Sequence, residues 1–339
     1  MKIPTNEAAV DRLEQIGTGF MEAKILLAAA ELRLFDRLAE HGATSAEVAA
    51  VLGAGTRPVE MLLDALTAMG LIGKDGERYR NLPEYEARLL ESSPSHYVGL
   101  LRHRNRLFRR WAFLEETVRG RPLPFLDDLR DGLTDPVANE NFIRAMYAVS
   151  HQRAGAVADR IPLDGVRTIA DLGGGPGHYL AEFARRAPAA EPFLVDLPLT
   201  LDVARKLLEG TDVAGRVRFV AWDFYEEPAP AGLPPLDLVF LSQVVHAEDD
   251  ARNRALFAKI AALTAPGGRI VVHERTVEED RSRPYEAALF AINMLAMTAG
   301  GTTYTAAEIE EWGRAAGFAP ERRERLSPMS ELITLRRPG

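Results

Sequence analysis

The residues with the clearest chemical potential form a glycine-rich run after a predicted buried strand. The run is Asp171-Leu172-Gly173-Gly174-Gly175-Pro176-Gly177. Glycine loses more backbone entropy on folding than other residues, so such a run indicates positive φ angles or a ligand lying against bare backbone. The spacing alone also fits a dinucleotide, whose pyrophosphate would sit on the next helix N-terminus. Asp171, two residues before the first glycine, and Pro176, between the last two glycines, favour a nucleoside ligand without phosphate.

Two more acids follow the next two predicted strands. Asp196 ends the apolar run 193–195, roughly twenty residues beyond the glycines, where a carboxylate can accept hydrogen bonds from ribose hydroxyls. Asp223 follows the alternating segment 217–221, with Phe224 beside it, and this pair suits an adenine amino group and ring face. Functional residues collect at the carboxyl ends of strands in open α/β sheets. We therefore expect the three acids to surround one nucleoside.

A histidine follows a fourth predicted strand, Leu236–Leu241. A histidine side chain has a reference pKa of about 6.5 in model peptides, and this residue type suits acceptance of a proton from a hydroxyl group, so His246 is a candidate base. Read from the residues alone, a histidine after a strand also fits a structural or capping role. Asp249 and Asp250 precede the predicted helix 251–263, where acids favour a helix N-terminus, so we predict that they are caps.

Taken together, these motifs resemble the S-adenosylmethionine-dependent O-methyltransferases of the caffeate and acetylserotonin type. The resemblance covers almost the whole chain and rests on four segments in order, which are Asp171–Gly177, Val195–Pro198, Trp222–Phe224 and Leu241–His246. It implies an α/β fold, with a Rossmann-like seven-stranded methyltransferase domain and a mostly helical amino-terminal winged-helix dimerisation domain. It also implies S-adenosyl-L-methionine as methyl donor, S-adenosyl-L-homocysteine as product, a small hydroxylated aromatic substrate, and no metal.

The resemblance assigns roles to individual residues. His246 aligns with the family's general base, and Glu274 with the acid that orients it. The implied cofactor-binding residues are Asp171, Gly173, Gly174, Gly175, Asp196, Leu197, Asp223, Phe224, Ser242, Gln243 and Met146. The implied substrate-binding residues are Phe142, Phe290, Met294 and Met297, although methionines at helical spacing also fit a plain core.

Two positions depart from the family pattern and leave alternatives open. Plant members carry an acid directly after the catalytic histidine and another after a Gly-Gly pair near the carboxyl end, where this chain has Ala247 and Thr303. The same scaffold also carries C-methyltransferases and relatives that bind the cofactor without transferring its methyl group. A nicotinamide-dependent dehydrogenase is a more remote alternative, because a glycine loop and a ribose-binding acid serve both cofactors.

Composition limits the other classes of function. With 339 residues the chain is long enough for about two domains. The absence of cysteine excludes disulfides and zinc thiolate sites, and the net charge of −8 opposes binding to nucleic acid. No apolar run approaches the ~20 residues of a membrane span, and the first residues lack a signal-peptide pattern. We expect a cytoplasmic protein that binds neither nucleic acid nor membranes.

The amino-terminal part shows helical patterns followed by a hairpin signal. Apolar stripes predict a helix through Ile25, Ala28, Ala29, Leu32 and Phe35 and another through Val59, Leu62, Leu63, Leu66 and Met69. Thr44-Ser45 is predicted to cap a helix through Leu52, and Asp75-Gly76 to turn a hairpin. This order is typical of a winged helix, which raises the alternative of a DNA-binding regulator. The helix 57–70 offers few basic side chains for DNA, whereas the family resemblance implies a homodimer through the helices near 20–38.

Three segments follow from these observations. We predict a winged-helix dimerisation domain over 1–100, a helical connector over 101–138 and a methyltransferase domain over 139–339. The segment 120–136, with its prolines, glycines and aspartates, is predicted to be irregular. The basic stretch 102–110 is predicted to be an amphipathic helix with solvated or paired arginines.

Overall fold

The computed structural model describes residues 7–93, 96–121 and 134–339. The chain divides into two compact units, Met1–Arg109 and Arg110–Gly339. The predicted irregular segment 120–136 lies mostly outside the described residues, and the two predicted domain boundaries stay predictions. In the described part of the chain, no helix combines the length and apolar character that crossing a membrane requires.

The first unit combines helices with a small antiparallel sheet. Its helices are α1 (Glu7–Thr18), α2 (Phe20–Glu31), α3 (Leu34–Arg37), α4 (Ser45–Leu52), α5 (Thr56–Ala68), α6 (Pro83–Leu89) and α7 (Val98–Trp111), the last running past the division at residue 109. Its strands are β1 (Ala43–Thr44), β2 (Ile72–Asp75) and β3 (Arg78–Asn81), in the order β1-β3-β2. Helices α4 and α5 followed by the β2–β3 hairpin reproduce the order predicted for a winged helix.

Two local predictions in this unit are confirmed. The Thr44 hydroxyl accepts a hydrogen bond from the Glu47 backbone N–H, and the Glu47 carboxylate accepts one from the Thr44 N–H at 2.7 Å. This capping box satisfies N–H groups at the start of α4. Asp75 pairs with Arg78 across the hairpin turn.

The first predicted helical stripe is wrong in part. The helix ends at Glu31, because Arg33 adopts a left-handed conformation with φ of 55° and the chain restarts as α3. The break changes which side chains are buried: Leu27 and Leu34 enter the core, whereas Leu32 is 39% exposed. A stripe drawn through both helices at one period therefore mixes two faces.

The second unit is an α/β domain. Its helices are α8 (Leu114–Val118), α9 (Pro136–Ala158), α10 (His178–Arg186), α11 (Pro198–Leu208), α12 (Asp250–Leu263), α13 (Tyr285–Met297) and α14 (Ala306–Ala315). Its strands are β4 (Thr168–Leu172), β5 (Glu191–Asp196), β6 (Arg218–Ala221), β7 (Leu236–Ser242), β8 (Thr264–Glu274), β9 (Ala319–Ser327) and β10 (Ser330–Arg336). In the described residues of this unit, the seven strands form one sheet in the order β6-β5-β4-β7-β8-β10-β9, which confirms the predicted fold class.

The sheet has a switch point beside its first strand. Strands β6, β5, β4, β7 and β8 are parallel, and β10 pairs antiparallel with both β8 and β9. The chain proceeds from β4 outward through β5 and β6, then returns to the other side of β4 with β7. A crevice for a ligand forms outside the carboxyl ends of the strands at such a point.

Neighbouring residues along the central strands enter different cores. Ile169 and Phe240 pack with α10 residues on one face, whereas Ala170 and Leu241 pack with α12 and α14 residues on the other. This alternation follows from the two-residue period of a strand. Because helices cover both faces of the sheet, a ligand can reach the sheet at the carboxyl ends of the strands and at the loops that follow them.

Candidate active site

The glycine loop after β4 packs too tightly for larger side chains. Gly173 has φ of 70°, and a Cβ there would lie 2.7 Å from Val244 Cγ2 and 3.4 Å from Phe224 Cζ. A Cβ at Gly174 would overlap Leu194 and lie 2.6 Å from Asp171 Cγ. The loop therefore brings bare backbone between segments that follow β6 and β7. Its glycines are explained by close approach as well as by positive φ.

Asp171 is a buried carboxyl at the end of β4. It has no exposed surface, and neither of its oxygens has a hydrogen-bond partner among the residues that the structure describes. Burial, and to a smaller extent the Asp196 carboxylate, raises the pKa of Asp171 to about 8. Such orphaned oxygens in a glycine cradle indicate a site built for a ligand that donates hydrogen bonds or carries positive charge.

Asp196 connects the end of β5 to the glycine loop. Its Oδ2 accepts a hydrogen bond from Gly175 N at 2.9 Å, and its Oδ1 accepts one from Leu197 N at 2.7 Å. Burial raises the pKa of Asp196 to about 6, while these two N–H groups oppose the shift. The carboxylate is only partly covered, so each oxygen keeps acceptor capacity for a further donor.

Asp223, the third acid that follows a strand, makes hydrogen bonds within the protein. Oδ1 of Asp223 accepts hydrogen bonds from Tyr225 N and Glu226 N, both at 3.2 Å, and so stabilises the turn after β6. Phe224 lies beside Gly173 and close to the rings of Trp222 and Tyr225. The predicted contact of Asp223 and Phe224 with an adenine stays a prediction.

Hydrogen bonds from Ser242 and Gln243 link the end of β7 to His273 near the end of β8. Ser242 Oγ lies 2.9 Å from His273 Nδ1, and His273 Nε2 lies 2.7 Å from Ser330 Oγ. Burial lowers the pKa of His273 to about 4, so this imidazole is neutral and structural at neutral pH. Gln243 has φ of 58°, and its N–H donates to the His273 carbonyl oxygen at 2.9 Å. These contacts set the direction in which the chain leaves β7 toward His246.

His246 and Glu274 form a pair in which the carboxylate is fully buried and the imidazole is 12% exposed. His246 lies in a short 3-10 turn, Val245–Ala247, and its Nδ1 is 2.8 Å from Glu274 Oε1. Burial opposes ionisation of Glu274, yet His246 beside it and the Arg275 N–H hold the pKa of this carboxyl below its usual value. An ionised carboxylate only accepts hydrogen bonds, so Nδ1 carries the proton and Nε2 carries the lone pair. The pair can therefore accept a proton at Nε2.

The Gly300-Gly301 pair packs against the backbone of the turn that holds His246. A Cβ at Gly301 would overlap the His246 carbonyl oxygen and lie 2.9 Å from that of Ala247. Thr303, which stands where plant relatives carry an acid, is buried and donates to the Ala287 carbonyl oxygen at 3.3 Å. Thr303 is thus a structural contact between the Gly-Gly turn and α13.

The predicted substrate-binding residues lie on two helices. On α13, Phe290 meets the His246 ring edge to face with centroids 4.9 Å apart, while Met294 and Met297 are 4% and 6% exposed. On α9, Phe142 and Met146 are partly exposed, and the same helix passes the glycine loop through Ile143. Phe290 is therefore placed against the histidine, and the roles of the other side chains stay predictions.

Two nearby residues were missed by sequence reasoning. Arg275 follows Glu274 directly and stacks on Phe290, and Gly301 packs on the His246 turn. The Gly300-Gly301 pair could have signalled a close backbone approach, whereas no sequence pattern marks Arg275. The predicted cap at Asp249 is confirmed, since its side chain accepts from Arg252 N at the start of α12. Asp250 is the first residue of that helix, and its carboxylate accepts from Trp312 Nε1 and Arg254 Nε. In the described ranges, no three acidic or histidine side chains converge as metal ligands would.

Known families match both parts of the chain. The O-methyltransferase domain matches residues 125–319, and the O-methyltransferase dimerisation domain matches residues 14–84.

Individual proteins match along nearly the whole length. The chain is 34% identical over 320 residues to 3-hydroxy-5-methyl-1-naphthoate 3-O-methyltransferase of Streptomyces sahachiroi, covering 93% of this chain and 91% of that protein. It is 30% identical over 328 residues to the tetracenomycin polyketide synthesis 8-O-methyl transferase TcmO of Streptomyces glaucescens, covering 96% of each. A similar solved structure is human N-acetylserotonin methyltransferase in complex with SAM, with a TM-score of 0.82, 26% identity and full coverage of both chains.

Proposed function

Because this chain belongs to the O-methyltransferase family, we propose that it transfers a methyl group from S-adenosyl-L-methionine to a hydroxyl group on an aromatic small molecule. The observation that carries this proposal is the His246–Glu274 pair at 2.8 Å, placed against the aromatic ring of Phe290. The relatives support the acceptor class, since the two Streptomyces proteins are named for a naphthoate and a polyketide substrate. The same names support a place in bacterial secondary metabolism.

The cofactor site is supported by the cradle after β4. At Gly173 and Gly174 a Cβ would clash with Val244, Leu194 and Asp171, so the loop offers bare backbone, and the Asp171 oxygens lack partners among the described residues. Carboxylate oxygens that accept hydrogen bonds suit a nucleoside with a positively charged tail. The residues proposed to hold it are Asp171, Gly173, Gly174, Gly175, Asp196, Leu197, Asp223, Phe224, Ser242, Gln243 and Met146.

When bound there, S-adenosyl-L-methionine supplies an electrophilic methyl group on its sulfonium. The chain's own part in the reaction is to handle a proton. His246 accepts the hydroxyl proton of the acceptor at Nε2, since Nδ1 is committed to Glu274. Glu274 holds the tautomer and stabilises the imidazolium that forms. Its own ionised state persists because the His246 ring and the Arg275 N–H favour the carboxylate.

The aromatic ring of the acceptor is proposed to bind against four apolar side chains, which are those of Phe142, Phe290, Met294 and Met297. Phe290 is the member in contact with His246, so it would set the distance between the ring and the base. Polarisable and aromatic side chains suit a flat apolar acceptor.

The amino-terminal unit is proposed to form a homodimer. The match to the dimerisation domain covers residues 14–84, and α1 and α2 expose a run of large apolar side chains in the described structure. These are Val10, Leu13, Ile16, Phe20 and Met21, with exposed fractions from 51% to 69%. Apolar surface of this kind indicates an interface. We retain 1–100, 101–138 and 139–339 as the proposed division of the chain.

The test compares His246→Ala with the unchanged protein. We expect the variant to keep its affinity for S-adenosyl-L-homocysteine, measured by calorimetry, and to lose about 10²–10⁴-fold in methyl transfer to a phenolic acceptor. NMR of the product distinguishes O-methylation from C-methylation on the same scaffold. Unchanged turnover would remove His246 as the base, and tight binding of NAD in place of S-adenosyl-L-homocysteine would overturn the proposed function.

A further inference from the structure

Arg275 is a half-buried cation beside the candidate base. It follows Glu274 at the end of β8, and its guanidinium carbon lies 4.2 Å from the centroid of the Phe290 ring. Within the described ranges, the guanidinium has no hydrogen bond and no ion pair with a carboxylate. A partly desolvated guanidinium that is hydrogen-bonded to no carboxylate is costly, so the site favours a ligand that supplies one.

The neighbouring acid, Glu274, makes no hydrogen bond to the guanidinium, and one of its two oxygens is already occupied. Oε1 of Glu274 takes Nδ1 of His246 and the backbone N–H of Arg275, both at 2.8 Å. Arg153 on α9 adds positive charge to the same region. Burial and, less strongly, the Arg153 charge lower the pKa of Arg275, while Glu274 opposes that shift. Arg153 also makes no ion pair among the residues described. The region thus holds excess positive charge next to the reaction centre.

A second arginine in the same unit stacks on an aromatic ring and also pairs with a carboxylate of the protein. Arg205 lies over the Phe219 ring at 4.7 Å, and its Nη1 also binds the Asp202 carboxylate at 2.7 Å. The aromatic face alone therefore does not replace a carboxylate partner there. Arg275 has the ring contact and lacks the carboxylate.

Phe290 connects this cation to the candidate base. One edge-to-face contact of 4.9 Å joins Phe290 to His246, and one stacking contact of 4.2 Å joins it to Arg275. An aromatic acceptor whose hydroxyl reaches His246 would lie along Phe290. A substituent at the periphery of that acceptor would then approach the guanidinium.

We propose that Arg275 binds a carboxylate carried by the acceptor, so that the substrate is a hydroxylated aromatic carboxylic acid. This inference rests on the proposed function and assigns the acceptor's second functional group. The guanidinium is planar and presents paired N–H donors that match a carboxylate, and its stacking on Phe290 fixes its orientation in advance. Arg275 is in this view a specificity residue, and it takes no part in proton transfer.

The experiment measures equilibrium binding, which does not depend on turnover. 3-Hydroxybenzoate and 3-hydroxy-2-naphthoate, each paired with its methyl ester, are titrated into protein saturated with S-adenosyl-L-homocysteine. We expect each acid to bind about tenfold or more tightly than its ester, as a charge-assisted hydrogen-bonded pair implies. Arg275→Met, which retains an apolar stem against Phe290, should abolish that preference while leaving ester affinity unchanged. Arg205→Met is the matched control and should keep the preference.

Three results would overturn the inference. The first is equal or absent binding of acid and ester to the unchanged protein, and the second is a preference that survives in Arg275→Met. The third is a loss of S-adenosyl-L-homocysteine affinity in Arg275→Met, which would assign the guanidinium to the cofactor's carboxylate. Methyl transfer is assayed separately with S-adenosyl-L-methionine. Arg275-dependent binding of acids without any transfer would contradict the proposed function and leave carboxylate recognition standing.

Discussion

The Glu274 carboxylate is fully buried and holds Nδ1 of His246 at 2.8 Å, while its other oxygen, Oε2, has no hydrogen-bond partner among the described residues. The two residues belong to segments that follow neighbouring parallel strands, β7 and β8. A buried carboxylate with one committed oxygen stores negative charge where an imidazolium would form. In the proposed mechanism the pair is thus prepared for proton transfer before any acceptor arrives.

We first predict the effect of removing this charge. Glu274→Gln keeps the side-chain shape and an oxygen for the His246 and Arg275 N–H groups, but it no longer stabilises an imidazolium. The expected loss in kcat is about 10²–10⁴-fold, with little change in affinity for S-adenosyl-L-homocysteine. Glu310→Gln serves as the control, because Glu310 is also buried but pairs with Arg314 and Arg323. Equal kcat in the two variants would contradict a catalytic role for Glu274.

A second prediction concerns the contact behind the base. Gly301→Ala places a methyl group against the carbonyl oxygens of His246 and Ala247, so the 3-10 turn must shift. Displacing the base by a fraction of an ångström should reduce kcat by about tenfold or more while S-adenosyl-L-homocysteine still binds. Gly215→Ala, where the added Cβ meets open space, should be silent. Steady-state kinetics of both variants check this, and an unaffected Gly301→Ala enzyme would show that the turn tolerates the methyl group.

Third, we predict how Asp171 couples stability to pH. Because burial raises its pKa to about 8, the folded protein keeps a proton between pH 3.8 and about 8 that the unfolded chain releases. This contribution to the free energy of unfolding is full below pH 3.8 and is lost as the pH rises through about 8.

Asp171→Asn removes that dependence. The melting temperature of the variant minus that of the unchanged protein, both without ligand, should therefore increase from pH 4 toward pH 8 and then level off. A difference that stays flat across this range would mean that the Asp171 carboxyl is not protonated in the ligand-free protein.

Fourth, the exposed apolar run on α1 should hold the proposed homodimer together. Ile16 is 60% exposed and lies inside the segment that matches the dimerisation domain. Ile16→Arg introduces a charge that an apolar interface cannot solvate, so light scattering should show a shift toward monomer. Val118→Arg, at a position that is 66% exposed in the second unit, should leave the mass unchanged. A dimer that persists with Ile16→Arg would place the interface elsewhere.

Much of the local structure could be predicted from the sequence because short-range forces specify it. The capping boxes at Thr44 and Thr305 depend on residues three positions apart. The hairpin at Asp75-Gly76 depends on the conformational freedom of one glycine, which has φ of 58°. Where a local break was invisible, as at Arg33, the predicted stripe through α2 and α3 failed.

The sequence by itself determined the family, the α/β fold class and the strand ends at which Asp171, Asp196 and His246 stand, since motif order and apolar periodicity are properties of the chain. The family resemblance implied that Glu274 meets His246, but only the tertiary structure decided the distance between them and the other groups that contact them. The pairing of β7 with β8 brings Glu274 to His246, and the packing of α13 sets Phe290 between His246 and Arg275. Such contacts depend on strand register and helix packing between segments distant in sequence. No short-range pattern encodes them, and they determine the chemistry of the site.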